Sequence, residues 1–316
     1  MRPVAHVLVT RQLPFPALDR LGIAHDLDVW PEGLPPPPDE LRRRAADAEG
    51  ILSLLSDRID EPLMAAAPEL RAISNYAVGY DNIDLAAAAA RGIRVGNTPD
   101  VLTDATADLA FALLLAVARK LPEAQRDVRA GNWLTWEPAH PLGQEVHGST
   151  LGIIGYGRIG RAVAKRAEGF DMTVIHMGTP RAPGLSLEEL LERSDFVSIH
   201  APLTPETHHL IDAAALAGMR PSAILINTAR GPLVDQQALI AALENGTIAG
   251  AGLDVTDPEP VPADDPLLAA PNLIVLPHIG SATHTARGRM ADMAVENLLA
   301  GLEGQPMPHQ VTDDSQ

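Results

Sequence analysis

The chain of 316 residues contains no cysteine, and this absence excludes disulfide bonds and catalysis by a thiolate. Basic residues are also scarce. The sequence has 24 lysines and arginines against 41 aspartates and glutamates, which gives a formal net charge of −17 at pH 7. Because nucleic acids and anionic membranes repel a chain of this charge, they are disfavoured as partners. An anionic substrate would therefore have to be bound by local positive groups.

Uncharged hydrophobic runs of transmembrane length are missing as well. Residues 105–118 are apolar but form a short stretch that contains Asp108, so they predict a core helix. The N-terminal residues MRPVAHVLVTRQLP lack a long apolar region followed by a small-residue cleavage site. We therefore expect a cytoplasmic protein. Its length exceeds that of one ordinary hydrophobic core and predicts two domains.

A glycine-rich motif stands in residues 151–161, LGIIGYGRIGR, between a short apolar run and a helical pattern. In such a motif Gly155 permits the tight turn, Gly157 lets the backbone approach a pyrophosphate, and Gly160 lets the helix pack on the strand. The alternative is a tight turn with no ligand. The strand before the motif and the helix after it favour a dinucleotide site, with the phosphates at the helix N-terminus.

The second strand of this unit is predicted at residues 172–175, and HMGTPR follows it at residues 176–181. In NAD-binding units an acidic residue usually ends this strand and binds the ribose hydroxyls. None is present here, and Asp171 precedes the strand. Arg181 and Thr179 are instead candidates for binding a 2′-phosphate, so we expect NADP(H) to be favoured and NAD(H) to be possible. The alternative is that Arg181 is an ordinary solvated arginine.

Short apolar runs alternate with helical patterns through the rest of the chain, which predicts an α/β protein with parallel sheets. Before the glycine motif we predict a loop at residues 34–39, which hold four prolines, and these strands and helices: strands 4–10, 50–55 and 70–75, helices 41–48 and 62–67. After it we predict the following: strands 196–200, 223–227, 250–255 and 274–276, helices from 212 and over 235–244, and a C-terminal helix 283–301.

Two loops are candidates for contact with a ligand or a partner. Residues 75–84, NYAVGYDNID, follow a predicted strand, and the amides of Val78 and Gly79 are able to bind a carboxylate. The alternative is an ordinary loop before an alanine-rich helix. Residues 131–138 contain Trp133 and Trp136, which either pack locally or form part of an interface or a site.

Three strand ends after the glycine motif carry groups suited to acid–base chemistry on an anion. Arg230, Glu259 and His278 each follow a predicted strand, and each alone has an ordinary structural explanation. A guanidinium binds an α-keto acid at two points, and a histidine exchanges a proton near neutral pH. A carboxylate beside the histidine fixes its tautomer and favours its charged form. We assign no metal ligand.

These motifs together resemble the D-isomer-specific 2-hydroxyacid dehydrogenases, in family order along nearly the whole chain. The matching segments are NYAVGYDNID, GIRVGNTPDVLTDATADLAFALLLAVAR, LGIIGYGRIG, DFVSIHAPLTPET, ILINTARGPLVD, AGLDVTDPEP and LPHIGSAT. Within the family, the chain looks most like the glyoxylate/hydroxypyruvate reductases. The resemblance implies a homodimer whose Rossmann dinucleotide-binding domain, residues 99–284, is inserted into a flavodoxin-like substrate domain, residues 1–98 and 285–316.

The resemblance also implies a role for each matching residue. Arg230 would bind the substrate carboxylate and carbonyl together with the amides of Val78 and Gly79, His278 would be the acid–base, and Glu259 its partner. The expected cofactor-binding residues are Gly155, Gly157, Arg158, Ile159, Gly160, Thr179, Arg181, Ala201, Pro202, Thr228, Ala229, Asp254, His278 and Gly280.

The expected activity is reduction of glyoxylate or hydroxypyruvate to the D-2-hydroxy acid by NAD(P)H. The first alternative is a dehydrogenase of another D-2-hydroxy acid such as 3-phosphoglycerate. The second is a nicotinamide-sensing protein that resembles relatives used as transcriptional corepressors, which would need a peptide-binding surface that the sequence does not display.

Overall fold

Strands and helices alternate along the chain as the short apolar runs predict. The computed structural model describes residues 4–178 and 183–311. Two compact units are present, one formed by Met1–Leu102 with Ala282–Gln316 and the other by Thr103–Ser281. The second unit is therefore inserted into the first. The assignment of the first unit to the substrate stays a prediction.

The described elements follow in chain order. Up to Leu102 they are β1 (His6–Val9), α1 (Ala17–Ala24), β2 (Asp26–Val29), α2 (Pro38–Ala45), β3 (Gly50–Ser53), α3 (Glu61–Ala66), β4 (Ala72–Asn75), α4 (Leu85–Ala90) and β5 (Arg94–Gly96). The second unit contains α5 (Thr103–Ala118), α6 (Leu121–Ala130), β6 (Thr150–Ile154), α7 (Arg158–Ala167), β7 (Thr173–His176), α8 (Leu187–Arg193), β8 (Phe196–Ile199), α9 (Ala213–Ala217), β9 (Ile224–Asn227), α10 (Gln236–Glu244), β10 (Gly250–Leu253) and β11 (Leu273–Val275), with 3-10 helices at Glu168–Phe170, Gly231–Leu233 and Pro266–Ala269. Helix α11 (His284–Leu302) completes the first unit.

The first unit is built on a parallel sheet of order β2-β1-β3-β4-β5, the flavodoxin-like arrangement. Strand β3 is buried along its length and pairs through Ile51 with Leu8 of β1 and Ile73 of β4. Helix α11 packs against β3 so closely that a Cβ atom on Gly50 would lie 3.1 Å from Leu302. The last helix is therefore part of this unit's core.

The second unit is built on a parallel sheet of order β11-β10-β9-β8-β6-β7. The order reverses at β6, whose neighbours are β7 and β8, and ligands of open α/β sheets bind at such a switch point. Helix α5 buries its apolar side chains, among them Leu113 and Val117, in the same cluster as Leu151 and Ile153 of β6. The predicted fold class, two doubly wound parallel sheets with a Rossmann domain inserted, is confirmed.

Helix starts follow from short polar side chains that cap free backbone amides. Asp60, Asp84, Asp212, Asp235 and Thr283 each accept a hydrogen bond from an amide in the first turn of the next helix. Each cap therefore marks the residue at which a loop ends and the next helix begins.

The proline-rich loop was predicted too long. It ends at Pro37, since α2 begins at Pro38 and not at residue 41. Proline suits the first turn of a helix because its fixed φ is helical and its missing N–H has no partner there in any case. In the described part of the chain, no helix combines the length and the hydropathy that a membrane span requires.

Candidate active site

The glycine motif forms a tight turn between β6 and α7. Gly155 has a φ of +93°, and a Cβ atom there would lie 2.5 Å from the backbone nitrogen of Ala201. A Cβ atom on Gly160 would overlap the carbonyl oxygen of Gly155. Side chains are thus excluded at both positions, by the loop after β8 at the first and by the turn itself at the second.

The middle glycine faces open space. A Cβ atom on Gly157 would meet nothing within 4 Å, and Gly157 caps α7 without any side-chain hydrogen bond. The backbone amides at the start of α7 carry the positive end of the helix dipole, which favours an anion. Arg158 is the exposed first residue of that helix, and Ile159 packs into the core beneath it. This cradle fits the pyrophosphate of a dinucleotide.

An aromatic stack closes the end of β7. The ring of Tyr156, between the first two glycines, lies parallel to the imidazole of His176 with centroids 4.2 Å apart. The guanidinium of Arg161 lies 5.9 Å from the centroid of the Tyr156 ring. Thr179 and Arg181, the predicted 2′-phosphate ligands, lie outside the described residues. Sequence patterns did not predict the stack, because it joins residues twenty positions apart.

The loop after β8 lies over the glycine turn. His200 accepts or donates a hydrogen bond with Ser198 Oγ at 2.8 Å, and burial lowers the pKa of His200 to about 4. The imidazole is therefore neutral near pH 7. Ala201 is buried against Gly155, and the carbonyl of Pro202 accepts a hydrogen bond from the Thr207 hydroxyl at 2.8 Å.

The loop after β9 is held by the buried side chain of Asn227. Its Oδ1 accepts a bond from the Ala229 amide at 3.0 Å, and its Nδ2 donates to the Arg230 carbonyl at 2.8 Å. The Thr228 hydroxyl is buried and has no hydrogen-bond partner among the described residues, so it is available to a ligand. The half-buried Arg230 side chain donates to the carbonyl of Ala229 at 2.9 Å.

Asp254 joins the ends of β9, β10 and β11. Its amide donates to the Asn227 carbonyl, and its carbonyl accepts from the His278 amide, both at 2.9 Å. Its buried carboxylate accepts from the amides of Ile279 and Gly280, each at 2.7 Å. Burial raises the pKa of Asp254, although those two hydrogen bonds oppose the rise. Asp254 therefore orients the segment that carries His278.

The predicted acid–base pair is in contact. His278 Nδ1 lies 2.6 Å from Glu259 Oε1, and the two side chains are 22% and 34% exposed. His278 has a φ of +54°, a left-handed conformation that is uncommon for a residue with a side chain and is found at functional sites. Because Nδ1 faces the carboxylate, Nε2 is left as the atom able to exchange a proton with a ligand.

Residues from both units were predicted to bind the substrate. Arg230, Glu259 and His278 all lie at the carboxyl end of the second unit's sheet, after β9, β10 and β11. Val78 and Gly79 belong to the first unit, where they follow β4.

The tryptophan loop is exposed. Trp133 and Trp136 are 71% and 79% exposed, and Leu134 between them is 90% exposed. The alternative that the two indoles pack locally is therefore wrong. Large exposed aromatic side chains are typical of a surface that another molecule covers.

Known proteins are similar to this chain in sequence and in fold. Residues 111–280 match the family model described as D-isomer specific 2-hydroxyacid dehydrogenase, NAD binding domain. A glyoxylate reductase of Korarchaeum cryptofilum is 48% identical over 99% of this chain and 97% of its own length. The chain belongs to the D-isomer-specific 2-hydroxyacid dehydrogenases. The second unit is therefore a nicotinamide dinucleotide-binding domain, and the chain is an oxidoreductase.

Solved structures similar to this chain cover nearly its whole length. A protein from Thermus thermophilus is 53% identical, with a TM-score of 0.91 over 97% of this chain and 100% of its own. An NADPH-dependent glyoxylate/hydroxypyruvate reductase from Sinorhizobium meliloti, solved with NADP and malonate, is 37% identical, with a TM-score of 0.87 over 98% of this chain and 97% of its own. The family resemblance found in the sequence is thus confirmed.

Proposed function

We propose that this protein reduces glyoxylate to glycolate and hydroxypyruvate to the D-2-hydroxy acid with NAD(P)H. The observation that carries the proposal is the His278–Glu259 contact at 2.6 Å, at the same sheet end as the half-buried Arg230 of the nicotinamide-binding domain. The similarity to glyoxylate reductases along nearly the whole chain supports the choice of a small 2-keto acid.

The protein's own groups would perform the acid–base part of the reaction. When bound, the reduced nicotinamide supplies the hydride, and the cradle of Gly155, Gly157 and α7 would hold its pyrophosphate. His278 would donate a proton from Nε2 to the substrate carbonyl oxygen, while Glu259 keeps Nδ1 protonated and the ring oriented. Arg230 would bind the carboxylate and stabilise the negative charge that develops on the carbonyl oxygen.

Other residues would orient the cofactor and the substrate. The Thr228 hydroxyl, which has no partner in the described part of the chain, and the neighbouring Ala229 would lie against the nicotinamide. Asp254 and Gly280 would support the same region. In the first unit, the amides of Val78 and Gly79 would bind the substrate carboxylate. Neutral His200 adds no charge to the loop over the glycine turn.

Cofactor choice is the finer part of the proposal. No acidic side chain ends β7, where His176 stands, so no carboxylate there would repel a 2′-phosphate. We therefore propose that NADPH is favoured and NADH accepted. Arg181 and Thr179 remain the proposed ligands of the 2′-phosphate.

One substrate panel tests the proposal. Glyoxylate, hydroxypyruvate and a bulkier 2-keto acid are each offered with NADPH and with NADH at one ionic strength, in wild type and in the Arg181→Ala variant. We expect the highest kcat/KM for the two small acids, and an NADPH preference that falls in Arg181→Ala. Oxidation of 3-phosphoglycerate, measured in the reverse direction with NAD+ and NADP+, would favour the first alternative if its kcat/KM exceeded that of every reduction in the panel. No turnover at all would favour a nicotinamide-sensing binding protein.

A further inference from the structure

Two asparagine side chains hold the backbone of the loop that follows β4. Nδ2 of Asn97 donates a hydrogen bond to the Val78 carbonyl at 2.7 Å, and Nδ2 of Asn75 donates to the Gly79 carbonyl at 2.9 Å. Asn75 is fully buried at the end of β4, and Asn97 is half-buried just beyond β5. Neither side chain was predicted from the sequence to take part in substrate binding.

These two hydrogen bonds determine where the next amides point. In a planar trans peptide the carbonyl and the N–H face opposite directions. When Asn97 binds the Val78 carbonyl, the N–H of Gly79 must point away from Asn97. When Asn75 binds the Gly79 carbonyl, the N–H of Tyr80 must point away from Asn75.

The amides of Gly79 and Tyr80, and that of Val78 before them, have no acceptor within the described chain. The N–H groups of Val78, Gly79 and Tyr80 make no hydrogen bond to any described residue, and all three residues are half-exposed. Consecutive backbone N–H groups without acceptors form an anion-binding surface, because each donor needs a partner.

Asn75 is itself fixed on several sides. Its Oδ1 accepts from the Ser53 hydroxyl at 3.0 Å, and its Nδ2 also donates to Asn82 Oδ1 at 3.0 Å. Asn82 in turn donates to the carbonyls of Leu54 and Asp57 at 3.1 Å and 2.9 Å. This network determines which side-chain atom of Asn75 is Oδ1 and which is Nδ2. In the opposite orientation, Oδ1 would face the Gly79 carbonyl oxygen, and two acceptors would meet.

Asn97 is fixed by the C-terminal segment of the same unit. Its N–H donates to the His309 carbonyl at 3.1 Å, and its carbonyl accepts from Asn297 Nδ2 at 2.8 Å. Asn297, fully buried in α11, also accepts from the His309 amide at 2.9 Å. The residues after α11 therefore help to hold Asn97 in place.

We propose that Asn75 and Asn97 are positioning residues for substrate binding. They hold the Val78 and Gly79 carbonyls so that the amides of Gly79 and Tyr80 present preorganised donors to the carboxylate of the 2-keto acid. This inference rests on the proposed function. It assigns the two side chains no contact with the substrate, so their removal should weaken carboxylate binding more than it slows the chemical step.

The test uses the full-length Asn97→Leu and Asn97→Ala variants, with thermal melting to show that they are folded. KM for glyoxylate is measured together with kcat, and calorimetry measures binding of oxamate, an unreactive anionic analogue, to protein saturated with reduced cofactor. We expect KM and the oxamate Kd to rise about tenfold, the factor that corresponds to one lost hydrogen bond of about 1.4 kcal/mol. The fall in kcat should be smaller, and the cofactor Kd, followed by nicotinamide fluorescence, should not change.

Thr98→Val and Ser74→Ala are the matched controls. These residues adjoin Asn97 and Asn75, are fully buried, and carry hydroxyls that have no hydrogen-bond partner among the described residues. Both variants should keep the wild-type KM and oxamate Kd. A general packing defect would instead raise these constants in the controls as well, which would overturn the inference.

Two results separate the inference from the proposed function. A folded Asn97→Leu protein with the wild-type KM and oxamate Kd would overturn the positioning role and leave the proposed function intact. If wild type turns over no 2-keto acid, the proposed function fails, and oxamate alone decides the inference. Binding that is lost in Asn97→Leu would support it, and no binding to wild type would overturn it.

Discussion

At the residue scale, the contact between His278 and Glu259 is the basis of the proposed acid–base chemistry. We expect His278→Ala to lower kcat by about 100- to 10,000-fold, the usual contribution of a general acid, because no other group would hold the proton at Nε2. The Kd of the reduced cofactor should be retained. Stopped-flow reduction and cofactor fluorescence measure the two quantities.

The control for this variant is His284→Ala, which removes an exposed histidine from the first turn of α11. It should reduce glyoxylate at the wild-type rate. Wild-type turnover in His278→Ala would contradict the assignment of His278 as the acid.

Substitution of Arg230, which follows β9, tests whether the substrate requires a planar guanidinium group at this position. Arg230→Lys keeps the positive charge but cannot bind a carboxylate at two points, so we expect kcat/KM for glyoxylate to fall about 10- to 100-fold. The matched control is Arg220→Lys, an exposed arginine that pairs with Asp195 at 2.7 Å. Unaltered kinetics in Arg230→Lys would contradict two-point binding of the substrate carboxylate by Arg230.

At the scale of elements, the alternation of buried strands and helices could be predicted because each parallel strand is a short apolar run. The carboxyl ends of β9, β10 and β11 meet at one edge of a sheet, so Arg230, Glu259 and His278 could be placed there from sequence alone. Strand β2 could not be predicted, because Asp26–Val29 is an edge strand with alternating acidic residues and no apolar run. The contacts that orient the site join distant residues, as Asp254 and Gly280 do, and no local pattern encodes them.

A buried carboxylate between β3 and α3 makes the stability of the first unit depend on pH. Asp57 is 2% exposed and accepts from the Thr10 hydroxyl and from the Leu54 amide, while its Oδ1 has no partner among the described residues. Burial raises the pKa of Asp57 above its ordinary value of 3.8, although both hydrogen bonds and the charge of Arg11 oppose the rise.

The sign of this pH dependence follows from linkage. Because the folded protein binds the Asp57 proton more tightly than the unfolded chain, the resulting stabilisation is complete below pH 3.8 and is lost as the pH rises through the folded pKa. Asp57→Asn cannot titrate. We therefore expect its free energy of unfolding, relative to wild type, to rise between pH 3.8 and pH 7.

Denaturant unfolding at a series of pH values measures this difference. Asp47→Asn, which changes an exposed aspartate in the same unit, is the control and should run parallel to wild type. A difference between Asp57→Asn and wild type that stays constant with pH would show that Asp57 is ionised equally in the folded and unfolded states.

At the scale of the whole molecule, exposed apolar side chains concentrate in residues 121–142. These side chains are those of Leu121, Val128, Trp133, Leu134, Trp136 and Leu142. His140 and Asp127 join the end of this segment to α6 at 2.7 Å, so the loop folds back along the helix. Apolar side chains brought together in this way are typical of a protein–protein interface.

We expect this surface to form the homodimer that the family resemblance implies. A variant that combines Trp133→Ser, Leu134→Ser and Trp136→Ser should shift the protein from twice the mass of one chain to the mass of one chain, because buried aromatic residues supply much of the binding energy of interfaces. Light scattering after size exclusion measures the mass at micromolar concentration. The control is the double variant Ile23→Ser and Leu34→Ser. It removes side chains of the first unit that are 88% and 76% exposed, and it should leave the dimer intact. Cofactor binding should survive in both variants, since neither touches the glycine turn. A triple variant that remains dimeric, or a wild type that is monomeric, would show that the tryptophan loop does not form a dimer interface.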